Sequence, residues 1–292
     1  MSNVYDKIRD RVVDMLENGI IPWHRTYDGN CLPTSHLTGK VYGGMNRMLL
    51  KRGGHYWTWK QIQDAGGRVI KGRHAEQIYF RKMCNKKMTG KDEDGVDYEY
   101  NGCYYYLTSY MVFHETDIEG VPKSEPDLDI TKNDGNVEEA DRIITNYMQR
   151  EGIPFNNEDC IPHYSHNDLL GIEEIAVPFK YRFDRLDDYY HTVFHEMVHS
   201  TGADHRLKRG MMSKFGTSEY AKEELVAEMG ASRLAEHCNL EPTLYENAAA
   251  YCANWLGKLK NDIKWFVWAA GRADRAVDFI LDIKEEMERE SA

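Results

Sequence analysis

The first apolar stripe along the chain is Ile8, Val12, Met15 and Leu16, and its spacing of three and four residues predicts an amphipathic helix from Val4 to Asn18. Gly19 suits the left-handed residue that closes such a helix. A turn-rich stretch, IIPWHRTYDGN, follows and carries Trp23, His24 and Tyr27. Beyond it a brief helix is expected around Asn46 to Lys51, and another in WTWKQIQDAGG, ended by Gly66 and Gly67. Alternation around Val69 and Ile70, and again from Ile78 to Phe80, predicts strands. KKMTGKDEDGVDYEYNG reads as a polar hairpin tip or insert, and YYYLTSYMVFH as a strongly β-forming stretch that closes a first domain.

ETDIEGVPKSEPDLDITKNDGN is dense in turn formers and has no periodicity, so it reads as a linker. Next comes a helix, VEEADRIITNYMQREG, with Ala140, Ile143, Ile144 and Tyr147 on one face. Strands are expected near PHYSHNDL and EEIAVPFKY, then two helices, YYHTVFHEMVHS and EYAKEELVAEMGASRL, separated by a loop. Two further helices are expected at the end, GKLKNDIKWFVWAAGRA with Trp265, Phe266 and Trp268 as core, and the amphipathic AVDFILDIKEEMERE. The pattern implies an α+β protein of two domains, residues 1–115 and 137–292, joined by a linker over 116–136.

Charge sharpens this division. The net charge of −11 is unevenly spread: residues 1–113 hold 17 Lys and Arg against 12 Asp and Glu, so the remainder is strongly acidic. From Lys40 to Lys91 there are 13 basic residues and only Asp64 and Glu76. Such a segment favours a polyanion. Trp23, Tyr27, Tyr42, Trp57 and Trp59 are interleaved with Lys40, Arg47, Lys51, Arg52, Lys60, Lys71 and Arg73. Aromatic platforms beside cations are what single-stranded nucleic acid needs, and Asn46 and Gln61 can bond base edges. No recognition-helix pattern for duplex DNA is present.

No apolar run reaches the length of a membrane span, and the charged start does not read as a secretory signal. The six cysteines form no C-x-x-C and read as free thiols, so a cytoplasmic location without membrane partners is expected.

The sharpest chemistry lies in His195-Glu196-Met197-Val198-His199. On a helix, residues four apart share a face, so the two imidazoles stand together as ligands for a metal ion. Zinc suits neutral imidazole and lowers the pKa of water to about 7, and Glu196 is placed to act as general base. Two residues compete for the third ligand position. Glu224 lies on the downstream helix, with Glu228 four residues on as a partner for a histidine. His205 completes H-E-x-x-H-x-x-G-x-x-H, the metzincin spacing, although Met211 and Met212 follow it very closely for a Met-turn.

PWHRTY, LTGKVYGGMN, WTWKQIQDAGGRVIKG and YMVFH in the first half resemble the ArdC-type antirestriction proteins of plasmids and other mobile elements. So do YYHTVFHEMVHSTG, RLKR, FGTSEYAKEELVAEMGA and NAAAYCANWLGKLKNDIKWFVWAAGRADRAVDFI in the second. The resemblance implies a small α+β single-stranded-DNA-binding domain, then a mostly helical zincin-like metallopeptidase domain with a small sheet. It also implies Glu224 rather than His205 as third ligand, because the E-E-L-x-A-E stretch is the family's third-ligand segment. The chain departs from the pattern at Ser35, at Thr26-Tyr27 and at His191, which lies one turn before His195 where a small residue is usual.

The resulting expectation is an antirestriction protein that binds single-stranded DNA and hydrolyses a protein substrate that the sequence does not name. His195, His199 and Glu224 hold Zn2+ in this reading, with Mn2+ as the other candidate, Glu196 is catalytic, and Glu228 supports a ligand. The DNA contacts are Trp23, Lys40, Tyr42, Asn46, Arg47, Trp57, Trp59, Lys60, Gln61 and Lys71. The alternative is a strand-coating protein whose metal site is structural or silent. The oligomeric state is left open.

Overall fold

The computed structural model describes residues 3–24, 32–91, 97–123, 136–167, 171–210, 218–242, 248–260 and 262–283. The elements in order are α1 (Val4–Glu17), β1 (Pro33–Ser35), α2 (Gly44–Leu49), β2 (Gly54–Thr58), α3 (Trp59–Asp64), β3 (Arg68–Val69), β4 (Glu76–Lys91), β5 (Asp97–His114) and β6 (Ile118–Glu119). The second half adds α4 (Val137–Glu151), β7 (Phe155–Asn157), β8 (His163–Asn167), β9 (Ile172–Val177), α5 (Leu186–Ser200), α6 (Ser218–His237), α7 (Ala248–Leu259) and α8 (Lys264–Ile280). The protein is α+β with two compact units.

The first unit is built on a sheet in the order β1-β2-β5-β4, with β1 parallel to β2 and the other pairs antiparallel. Neighbouring strand residues point to opposite faces, and here both faces are covered at the base. Tyr56 packs with Tyr42, Leu50, Ile78 and Val112, whereas Trp57 packs with Ile62 and Ile118. α3 begins with a capping box: Gln61 Oε1 accepts from the Thr58 N–H at 2.7 Å, and Thr58 Oγ1 from the Gln61 N–H. Arg52 ties this unit together, pairing with Asp117 and lying 3.9 Å from Glu76, both carboxylates being buried.

The second unit contains α4 to α8 and the sheet β7-β9-β8. α4 is capped at Asn136, whose side chain accepts from the Glu139 N–H, and stops at Gly152 in the left-handed conformation. Its apolar face, Ala140, Ile143, Ile144, Tyr147 and Met148, is buried, and Tyr147 Oη meets Ser200 Oγ of α5 at 2.7 Å.

The two compact units interleave along the sequence: Arg9–Thr26 and Gly43–Met48 group with the second unit, and Leu49–Pro126 with the first. The stretch read as a polar hairpin tip or insert is the far end of the antiparallel β4–β5 ribbon, in which β4 runs to Lys91 and β5 starts at Asp97. At the end of the chain α8 runs unbroken from Lys264 to Ile280 through Arg272 and Arg275, since no glycine or proline after Gly271 halts it, and the preceding helix is the alanine-rich α7. Most of the expected linker, and Tyr27, Met211 and Met212, lie outside the described residues. Among the described residues no helix is long and apolar enough to cross a membrane.

Candidate metal centre

α5 is held by apolar positions at helical spacing: Tyr189, Tyr190, Val193, Phe194, Met197 and Val198 are all buried. That burial fixes the helix about its axis and turns His195 and His199 toward α6. Gly230 of α6 lets the two helices approach, because a Cβ there would stand 2.7 Å from Val198 Cγ2.

The close approach brings three donors together. His195 Nε2 and His199 Nε2 are 3.1 Å apart, and the carboxylate of Glu224 lies 3.5 Å from the first and 3.4 Å from the second. All three ligating atoms fall within 4.8 Å of one another. Two nitrogens sharing a tetrahedral ion at Zn–N distances of about 2.0–2.1 Å stand about 3.3 Å apart, so the spacing fits a metal. The donor set, two imidazoles and a carboxylate, fits zinc and its neighbours in the first transition row. The electrostatics point the same way. Burial alone would lower the His199 pKa, but the carboxylates of Glu223 and Glu224 beside its ring nitrogens and the charge of Glu196 raise it instead. Burial would raise that of Glu224, and the two histidines hold it far below the usual carboxylate range. The pocket therefore favours positive charge. Glu196, next to the first histidine, is buried.

The surrounding groups include some that the sequence reading missed. Glu223 Oε1 stands 3.5 Å from Nδ1 of His199, a buried nitrogen with no formed hydrogen bond among the described residues. Arg209 grips Glu223 from the other side and also donates to Thr201 Oγ1 and the Val198 carbonyl, each at 2.6 Å. The available signal was the doublet Glu223-Glu224 together with RLKR. Burial and a hydrogen bond to Glu224 push the Tyr220 phenol up to about 12. Glu228 lies 3.9 Å from Nδ1 of His195 and 4.0 Å from Nε2 of the buried His191. Burial, with smaller effects of His195 and His24, pushes His191 down to about 3.

His205 is not part of this cluster. The loop after α5 folds back through hydrogen bonds from Leu207 N to Thr201 O and from Arg209 N to Gly202 O. This sends His205, with half its side chain exposed, to within 3.8 Å of Glu173 on β9. The metzincin spacing is present in sequence without its geometry.

The residues expected to contact DNA fall into two groups. Lys40, Lys60 and Lys71 are exposed, and Trp59 is 53% exposed. Trp23, Tyr42, Asn46 and Trp57 are buried, so they offer no free face or edge for a base. Trp23 is edge-on to Trp255 in the second unit, and Trp57, 3% exposed, stacks on His36. Arg47 is committed to Glu236, and the Gln61 side chain to its cap.

Residues 2–113 match the family described as the N-terminal domain of anti-restriction factor ArdC, and residues 144–272 match zincin-like metallopeptidases. The crystal structures of antirestriction protein ArdC from plasmid R388 superpose with TM-scores of 0.68 metal-free and 0.69 with Mn(II) bound. Identity is 26%, over 96% of this chain and 97% and 98% of those chains. Along nearly its whole length the chain is similar to the ArdC antirestriction proteins. Among curated relatives, DNA primase TraC of Escherichia coli is 27% identical over 98% of this chain, which spans only 28% of that protein. Uncharacterized protein y4eC of Sinorhizobium fredii is 23% identical over 96% of this chain and 92% of its own length.

Proposed function

We propose that this antirestriction protein couples single-stranded-DNA binding by its first unit to metal-dependent peptide hydrolysis by its second. The observation that carries the reading is the convergence of His195, His199 and Glu224 within 4.8 Å, beside the buried Glu196. Zinc is the ion these donors suit, and Mn(II), which the R388 relative binds, is the other candidate. A bound divalent ion supplies Lewis acidity and an acidified water. The chain's own residues do the remainder. Glu196 takes and returns a proton, Glu223 and Glu228 orient the imidazoles through their outer nitrogens, and the buried apolar face of α5 keeps the histidines in place.

On the first unit the exposed Lys40, Trp59, Lys60 and Lys71 support the DNA reading, as do the likeness to the ArdC N-terminal domain and to primase-named relatives. The competing reading, strand coating with a silent metal site, does not require Glu196. Protein purified without chelator is assayed for metal content and for cleavage of casein, as wild type and as Glu196→Gln. The expected outcome is unchanged metal and lost cleavage in the variant. Loss of metal removes Glu196 from the role of base, and cleavage unaffected by the substitution removes the peptidase mechanism.

A further inference from the structure

The ribbon of β4 and β5 is far longer than the sheet it joins. Its register pairs Ile78 with Tyr110, Phe80 with Thr108 and Lys82 with Tyr106, and alternation assigns these residues to one face. At the base that face is core, where Ile78 and Val112 are buried with Tyr42, Leu50 and Tyr56. Beyond Ile78 it continues as Phe80, Lys82 and Lys86 with Tyr110 and Tyr106, and coverage ends. Phe80, Tyr110 and Tyr106 are 42%, 48% and 41% exposed. The rings of Phe80 and Tyr110 lie 5.7 Å apart. Lys82 and Lys86 are exposed and have no ion-pair partner among the described residues, and this face holds no Asp or Glu from Phe80 to Lys86 or from Tyr106 to Tyr110.

Three exposed rings and two unpaired cations in alternation select the ligand. A protein-binding patch is depleted in lysine at its centre, whereas this one is threaded by lysine. A closed duplex offers no base faces to stack on. A single strand offers both base faces and phosphates, and same-face residues along a strand repeat every 6.8 Å or so, which separates ring from ammonium. We propose that the outer face of the β4–β5 ribbon binds single-stranded nucleic acid, with bases on Phe80, Tyr110 and Tyr106 and phosphates on Lys82 and Lys86. The proposal rests on the reading that the first unit binds single strands. It adds a surface separate in sequence from Lys40, Trp59, Lys60 and Lys71.

The test is fluorescence anisotropy of a labelled oligothymidine with the full chain. Phe80→Ala and Tyr110→Ala are each expected to weaken binding about 5- to 100-fold, with Tyr110→Trp retaining affinity and Tyr110→Leu losing it. Lys82→Gln should reduce the slope of log affinity against log salt by about 0.7. This exposed change keeps the test decisive should a ring variant unfold. If wild type binds and the ring and lysine variants bind equally well, the ribbon assignment is overturned and the DNA reading stands. If wild type binds no single strand, the DNA reading falls and takes the ribbon with it. Equal losses on a duplex of the same length would make the face a duplex reader and overturn the ligand class.

Discussion

Arg209 donates to both carboxylate oxygens of Glu223, at 2.6 Å from Nη2 and 3.0 Å from Nε, while Glu223 faces Nδ1 of His199. A loop arginine thereby holds the carboxylate that faces a histidine of the candidate metal centre. Substituting Glu223 by Ala is expected to lower metal affinity by about 10–100-fold, as loss of such an outer partner does. Arg209→Ala should have the same effect on affinity and in addition cost about 3–5 kcal/mol of stability, because it leaves a buried carboxylate unpaired. Metal titration followed by urea unfolding reads both. Unchanged affinity in Glu223→Ala would remove Glu223 from the site.

The contact between Gly230 and Val198 makes a second test. A methyl at residue 230 would meet Val198 Cγ2 at 2.7 Å, so Gly230→Ala should push α6 off α5 and destabilise the fold by about 1–3 kcal/mol. Because Glu224 rides on α6, metal affinity should fall as well. Val198→Ala makes room, and the double variant should recover affinity if helix separation is the cause. Failure to recover would locate the effect elsewhere.

Arg206 is buried between Glu151, at 2.9 Å, and Glu173, at 2.5 Å. Burial raises both carboxyl pKa values, but hydrogen bonds from Arg206, joined by Arg150 at Glu151 and Tyr164 at Glu173, leave both below the ordinary 4.5. A depressed carboxylate stabilises the fold above its unfolded pKa, and that contribution disappears as pH falls through the folded value. Wild-type stability should therefore decline as pH drops below 4.5. In Arg206→Met burial is opposed only by Arg150 at Glu151 and by Tyr164 and the charge of His205 at Glu173, so this contribution should shrink and the decline toward low pH should be shallower than in wild type. Unfolding midpoints from pH 7 to pH 3 check the two slopes, and parallel slopes would contradict the account.

The metal helix, the Glu224 helix and the amphipathic α1 and α4 were legible in the sequence because each depends on local spacing. Periodicity tells which face is apolar, and two histidines four apart need nothing else to meet. What it could not show was which partner each face finds. Trp23 sits in a basic, aromatic-rich stretch and reads like its neighbours, yet it packs on Trp255, more than two hundred residues away. His205 matches a motif over eleven positions, and only the path of the loop sends it to Glu173. The pairing of Arg209 with Glu223 is likewise tertiary, set by the fold of the loop and not by local spacing.

Trp57 and Trp59 are two residues apart and call for opposite outcomes. Trp57 is 3% exposed between Ile62 and Ile118, and its indole stacks on His36. Trp59 opens α3, is 53% exposed and touches only the side of Phe113 among the ring contacts described. Trp57→Ala should cost about 3–5 kcal/mol of stability through the cavity it leaves. Trp59→Ala should leave the unfolding midpoint close to wild type and, if its ring stacks on a base, cost about 1–3 kcal/mol of single-strand affinity. Thermal unfolding and anisotropy on the same preparations separate the two effects. A stable Trp59→Ala that binds as wild type would remove Trp59 from the DNA surface. A Trp57→Ala of undiminished stability would mean that the packing of Trp57 with Ile62 and Ile118 does not hold the first unit together.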